Sequence, residues 1–334
     1  MKPLKQLPIL RLPFRAMEEV SKGMHAIINF SMISKRTRAV AKFMSFYSKY
    51  SIWLSVKISS LKICLYGTNK KIYCTYVMTS DKKMNGKIVE KGRYGYIERD
   101  VFNYSKDPVE EWKKLSEYII EIFKVQTISC LVMQMDAFAD RNIYIIDFLK
   151  TNVKSVDECF LYHWNEENNV AENFAYLLNN VTIDNKLASW VQIKPHDFNG
   201  KIPKNLRQLY IQNSQWVGYE RLLEIDCKNV ILRKNRVSDE QWNLFIKKWI
   251  AMETNQNLEY LELDYRAIEE FRALVMHDIP HEVVDEGAKR VLKIYRGQTE
   301  EISGGIDIRR IDGKTATFFA HREFQIYYFA MSVN

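Results

Sequence analysis

Residues 206–211 read Leu-Arg-Gln-Leu-Tyr-Ile, and residues 258–263 read Leu-Glu-Tyr-Leu-Glu-Leu. Both place apolar residues at the first, fourth and sixth positions, too compact for a helical stripe and bounded by polar turns. Between them lies a short apolar run, Val230-Ile231-Leu232. Ser238 then offers a cap for a helix whose Trp242, Phe245, Trp249 and Ile250 recur at helical spacing. Upstream the alternation continues. Ile128–Met133 is a compact apolar run followed by a helical pattern near Asn142–Lys150, and Val156–Tyr162 is followed by one near Asn168–Leu178. A further strand falls within Val181–Ile193. Strands that alternate with helices predict a parallel α/β sheet from about residue 128 to 263.

The two leucine spellings begin 52 residues apart with one strand between them, which implies a unit of roughly 26 residues, within the leucine-rich repeat range. Each unit would contribute one strand and one backing helix. The unequal spacing of the other runs predicts an irregular, leucine-rich-repeat-like sheet rather than a regular horseshoe.

The flanks read differently. Ile52, Leu54, Val56 and Ile58 alternate with polar or small residues, Leu61, Ile63 and Leu65 continue the period of two, and Ile72, Cys74 and Tyr76 alternate again. With the turn signal Tyr66-Gly67-Thr68-Asn69, they predict a β-hairpin over 51–78. Residues 80–96 are rich in Lys, Asn and Gly and predict an exposed loop. Asp107-Pro108 opens a helix that carries Trp112, Leu115, Ile119, Ile122 and Phe123. Near the C-terminus, Asp312-Gly313 between Ile306–Ile311 and Lys314–Phe319 predicts a hairpin with a type I′ turn, and Ile326, Tyr328 and Ala330 predict a third strand. Overall the class is α/β, or α+β counting the flanks.

The 334 residues are 47% hydrophobic and 27% charged, the balance of a soluble globular chain, and no run approaches a membrane span. Five widely spaced cysteines without a CxxC predict reduced, mostly buried thiols, and with them a cytoplasmic or nuclear setting. The net charge of +8 is uneven. Residues 1–50 carry ten Lys and Arg against Glu18 and Glu19, while the rest balances 39 against 39. A basic head on a neutral body predicts an acidic partner for the head, either nucleic acid or an acidic protein.

Catalytic signatures do not assemble. Gly313-Lys314-Thr315 lacks the earlier glycine of a phosphate loop, because Ile308 stands in its place. His277 and His281 are four apart, but Pro280 lies between them and no third ligand is evident. Trp242, Phe245 and Trp249 read as a buried helix face rather than a base-stacking platform. The expectation is a protein that is not an enzyme and carries no metal or cofactor.

The head itself reads as short helices. Pro13 suits a first helical position, and Leu12, Met17, Val20 and Met24 recur at helical spacing. Ala26, Ile27, Phe30 and Ile33 form a second apolar set, and Ser34 can cap a third helix. Leu12-Pro13, the two apolar helices and Ser34-Lys35-Arg36 resemble an F-box of the nematode type. His25 stands where F-boxes often carry an acidic residue. Farther on, Ile202-Pro203 through Leu206–Ile211, then Leu222–Leu232, Trp242–Ile250 and Asn257–Leu263 resemble the nematode F-box-associated domain of the second type.

That resemblance implies a three-helix F-box in residues 1–50 and a substrate-recognition region in 51–334, with the F-box-associated domain at about 200–265. It implies docking on a Skp-type adaptor, and through it on a cullin, by Leu12, Pro13, Met17, Ile27, Ile28, Ile33, Lys35 and Arg36. The C-terminal region would present a protein substrate for ubiquitination. Because the Skp-type adaptor is acidic, the resemblance favours a protein partner for the basic head over nucleic acid. Nucleic-acid binding, or an F-box protein working outside the ligase, are the alternatives.

Overall fold

The computed structural model describes residues 24–45, 50–67, 72–93, 96–165, 167–194, 198–323 and 326–334. The chain forms two compact units, residues 1–133 with 147–156 and residues 134–146 with 157–334. Leu12, Pro13, Met17 and the expected first helix lie outside the described residues.

In the first unit, α1 (Met24–Met32) and α2 (Lys35–Ser45) precede β1 (Ser51–Lys57), β2 (Ser60–Tyr66), β3 (Ile72–Thr79), β4 (Ile88–Arg93) and β5 (Tyr96–Tyr104). Then come α3 (Pro108–Phe123) and β6 (Thr127–Gln134), and the chain continues into α4 (Asn142–Asn152). The strand order is β6-β1-β2-β3-β5-β4. Strand β1 runs parallel to β6 and antiparallel to β2. Asp107 caps α3 by accepting from the Glu110 amide, with Pro108 in the first turn. Trp112 on α3 is fully buried and donates its indole N–H to the Lys62 carbonyl at 3.1 Å, which ties the helix to the sheet.

The expected hairpin over 51–78 is three strands. Lys57 pairs with Ser60, so a two-residue turn at Ile58-Ser59 separates β1 from β2. That turn has no Gly, Pro or Asn to announce it. Its trace is a change of phase, because the buried positions are even in β1 (52, 54, 56) and odd in β2 (61, 63, 65). The expected loop at 80–96 contains the exposed strand β4, held by backbone pairing with β5 despite its Lys, Glu and Gly content.

In the second unit, β7 (Ser155–Tyr162), α5 (Ala171–Asn180), β8 (Ile183–Ser189), β9 (Gln208–Ile211), α6 (Gly218–Glu224), β10 (Asn229–Leu232), α7 (Asp239–Ile250), β11 (Tyr260–Asp264) and α8 (Ile268–Leu274) alternate. They are followed by β12 (Glu282–Lys293), β13 (Thr299–Arg309), β14 (Thr315–Glu323) and β15 (Ile326–Val333). Strands β8 to β11 are parallel, and the register sets Leu187 beside Leu209, Leu209 beside Val230 and Val230 beside Leu261. Successive intervals along that row are 22, 21 and 31 residues. This row and the next one, Ile211, Leu232 and Leu263, are buried. On that face Trp242 on α7 and Phe271 on α8 line a small apolar cavity with Leu261, Leu263 and Phe329, and the Phe271 and Phe329 rings lie 4.6 Å apart. Ser238 and Gln241 form a reciprocal capping box that starts α7, and Trp242, Phe245 and Trp249 are buried as their spacing predicts.

The C-terminal strands extend this sheet rather than forming a separate hairpin. β15 pairs antiparallel with β11, and β14, β13 and β12 follow outward. Opposite Gly304 and Gly305 the pairing of β12 with β13 shifts register. Gly305 has a φ of +122°, and a side chain there would lie 2.9 Å from the Phe318 carbonyl oxygen, so glycine is required. Leu292, Ile302 and Phe319 are thereby brought against Ile231 and Tyr260 on the sheet face opposite the helices. The 310–314 hairpin has a different turn from the expected type I′, because of its two central residues only Gly313 has positive φ. Gly313 donates to the Arg310 carbonyl and Arg310 to the Lys314 carbonyl, so the loop is longer than two residues.

All five cysteines are free, four of them buried and Cys64 half-buried. No described helix is long and apolar enough to cross a membrane.

Candidate functional site

The face of β8–β11 turned away from α7 and α8 has its own residue pattern. Ala188, Tyr210, Ile231 and Glu262 stand side by side in one register row, between the leucine rows of the opposite face. Alternation forces this, because each residue between two core leucines must project to the other side. With Phe160, Lys186, Trp190, Gln212, Arg233, Lys234, Asp264 and Tyr328, and with Tyr295 and Gln298 from the β12–β13 connection, they line a groove of about 740 Å³.

One end of its floor is a buried ionic network. Arg233 donates to the Glu262 carboxylate and, at 2.9 Å, to the Leu263 carbonyl, while its guanidinium lies 3.8 Å from the Tyr328 ring centroid. Glu262 also accepts from the Tyr260 hydroxyl, and His321 Nε2 lies 3.1 Å away. His321 Nδ1 is 3.5 Å from Glu300. Burial alone would raise the Glu262 pKa. The His321 contact, the Arg233 charge and the Tyr260 hydroxyl outweigh it and hold the carboxyl below the usual range. The other wall is aromatic. Trp190 stacks on Tyr162 at 4.8 Å with planes 6° apart and meets Tyr210 at 5.1 Å, and the Lys186 ammonium lies 4.8 Å from the Phe160 ring centroid.

The arrangement can hold a ligand by ring contact, amide hydrogen bonds and charge. Among the described residues, no group of three or more His, Cys, Asp and Glu is placed to hold a metal ion.

The residues expected to meet an adaptor separate into two sets. Ile27 and Ile28 are 3% and 0% exposed, on the packed side of α1. That side faces α3: Ser31 lies 2.7 Å from the Tyr118 hydroxyl, and Arg38 on α2 sits over the Tyr118 ring while pairing with Glu121. Lys42 pairs with Glu121 as well, at 2.6 Å. Ile33, at 71% exposed, and Lys35 and Arg36 lie on the open corner between α1 and α2, with Met32 beside them. Ser34 caps α2 by accepting from the Thr37 amide. Met32 was not among the expected contacts, although it adjoins Ile33 in sequence. The groove was not anticipated either. Its nearest signal is Glu262, a charge set between two core leucines in a strand.

Comparison with known proteins agrees with the second unit's reading. A family profile described as F-box associated matches residues 197–263, which contain β9, β10 and all of β11 but Asp264, and so Tyr210, Ile231, Arg233 and Glu262 of the groove. The chain is also 25% identical over 167 residues to the E3 ubiquitin-protein ligase hecw-1 of Caenorhabditis elegans, covering 44% of this chain. It spans 13% of that protein's length. No solved structure matches the chain.

Proposed function

We propose that this chain is a non-catalytic substrate receptor of a cullin–RING ubiquitin ligase, working in the cytoplasm or nucleus. Its N-terminal residues would form an F-box that docks on a Skp-type adaptor, and its second unit, built on a leucine-rich-repeat-like sheet, would hold a protein substrate. Such a receptor accelerates modification by raising the local concentration of substrate near the ubiquitin-charged enzyme. The observation that carries the reading is the F-box-associated match over 197–263, on the strands whose helix-free face forms the groove. The exposed corner of Ile33, Lys35 and Arg36 gives the head an apolar anchor ringed by cations, suited to an acidic adaptor. Two of the head's other cations, Arg38 and Lys42, are engaged by Glu121, which leaves fewer for a phosphate backbone.

The test is a calorimetric titration of the full chain with purified Skp-type adaptor. Leu12→Ala with Pro13→Ala, and separately Ile33→Asp, should each weaken binding at least ~30-fold, about 2 kcal/mol at 1.4 kcal/mol per decade. Ile28→Ala should instead lower the melting temperature. Absence of measurable adaptor binding by the wild type, or full binding by both surface variants, refutes the docking assignment.

A further inference from the structure

Five aromatic residues and three cations surround the second unit's groove, and the chemistry of that lining narrows what it can take. We propose that the groove is a peptide-recognition site that selects an extended polypeptide segment carrying a carboxylate next to a large apolar side chain. The inference rests on the receptor reading above and adds the class of sequence by which a substrate would be chosen.

Shape comes first. A volume of about 740 Å³ lies within the range that engulfs most of a ligand of several hundred daltons, which for a polypeptide is a few residues. The groove lies on the sheet face, and its lining runs from Ala188, Tyr210, Ile231 and Glu262 within the strands to Gln212, Arg233, Lys234 and Asp264 at their carboxyl ends. Ile231 makes the floor dry, 4% exposed and packed with Leu292, Ile302 and Phe319, so contact with a ligand falls to the rings around it. Trp190, stacked on Tyr162 and tilted against Tyr210, walls it on one side with Tyr210, and Tyr328 on the other. Rings of this kind supply contact area at little entropic cost; Gln298 presents an amide suited to peptide N–H and C=O groups, and Gln212, whose Oε1 accepts from the Tyr210 hydroxyl, presents its N–H groups to a peptide carbonyl.

Charge selects the rest. Lys186, Arg233 and Lys234 face Glu262 and Asp264, and Glu262 is enclosed and matched by Arg233, Tyr260 and His321. The lining thus holds three cations against two carboxylates, a formal charge of +1. Lys234 is exposed and forms no ion pair among the described residues. Its φ of +54° is a conformation in which glycine is the least costly residue, so a long cationic side chain is held at the rim against backbone preference. The two carboxylates and the short positive rim argue against a nucleic-acid strand, whose phosphates need an extended run of cations.

The experiment exposes the full chain to a resin-bound random decapeptide library and sequences what is retained. Wild type should enrich Asp and Glu within two positions of an aromatic or branched aliphatic residue. Two exposed rim positions change the preference in opposite senses without touching the core. Lys234→Glu should cut the acidic enrichment at least about fivefold, and Asp264→Lys should raise it. Retained peptides without acidic preference, identical preferences in wild type and both variants, or capture of a random single-stranded oligonucleotide in place of peptide would overturn the proposal. Adaptor titration on the same preparations separates the two readings. Adaptor binding without groove-dependent peptide selection removes this inference alone, and groove-dependent selection without adaptor binding removes the ligase assignment alone.

Discussion

Glu262→Ala tests whether the buried network under the groove holds the second unit together. The wild-type carboxylate accepts from Arg233 and Tyr260 and faces His321 at 3.1 Å, with its own side chain 3% exposed. Among the described residues, removing it leaves the Arg233 guanidinium, itself 10% exposed, with the Leu263 carbonyl and the Tyr328 ring. Breaking one side of a buried ion pair typically costs about 3–5 kcal/mol, because the surviving charge is stranded in a medium that solvates it poorly. A domain of this size shifts by ~2–4 °C per kcal/mol, so the melting transition should fall by roughly 6–20 °C. Glu262→Gln keeps the shape and most of the hydrogen bonds and should cost well under half of that. Replacing both charges, Arg233→Met with Glu262→Leu, should cost less than Glu262→Ala alone, since no charge then remains unmatched. The pH dependence follows from the direction of the shift. The folded carboxyl titrates below its ordinary range, so its contribution is present above the unfolded value near 4.5 and is lost as pH falls through the lower folded value. The difference between wild type and Glu262→Gln should accordingly be full at pH 7 and shrink in acid. The assay is thermal unfolding followed by circular dichroism from pH 7 down to about pH 3. A Glu262→Ala loss within about 1 kcal/mol, or a wild-type advantage that grows in acid, would refute the argument.

Two further outcomes are expected. Ser238→Ala removes the side chain that caps α7 and should destabilise the second unit by about 1 kcal/mol, read as a shift in the urea midpoint with an unchanged slope. Burial pushes the Cys74 and Cys227 thiols up to about 12 and also raises Cys64. Thiolate is then scarce at pH 8, so in the folded chain iodoacetamide should label the half-buried Cys64 first and leave Cys74 and Cys227 unmodified until urea is added, a sequence that peptide mass spectrometry resolves.

The features legible in the sequence are those that hydrophobic burial imposes locally. Leu209, Leu261 and Leu263 mark their strands because a sheet covered by helices needs an unbroken apolar row, and Ser238 marks its helix because the first amides need an acceptor nearby in the chain. Features settled at a distance were not legible. The turn at Ile58-Ser59 carries no turn residue and is fixed by the pairing of β1 with β2. That β15 lies beside β11 depends on a return across three antiparallel strands, which no local pattern encodes. Ile27 and Ile33 looked equivalent as members of one apolar set, but the side of α1 that carries Ile27 and Ser31 is packed, with Ser31 against Tyr118 of α3, and Ile33 is open.

The groove was missed for a related reason. Its floor residues occupy the same short strands as the leucines, one position away, and the pattern that finds the leucines discards what lies between them. Glu262 is the exception, because a carboxylate between two core leucines must find compensation somewhere. Of its partners, Arg233 follows the end of β10 and His321 comes from β14, and Tyr260, two residues away on the same strand, becomes a partner only because alternation turns both side chains to one face. A buried charge inside an otherwise apolar strand is therefore a sequence signal that a polar cluster exists on the opposite face. Only the register of β10, β11, β15 and β14 says which residues complete it.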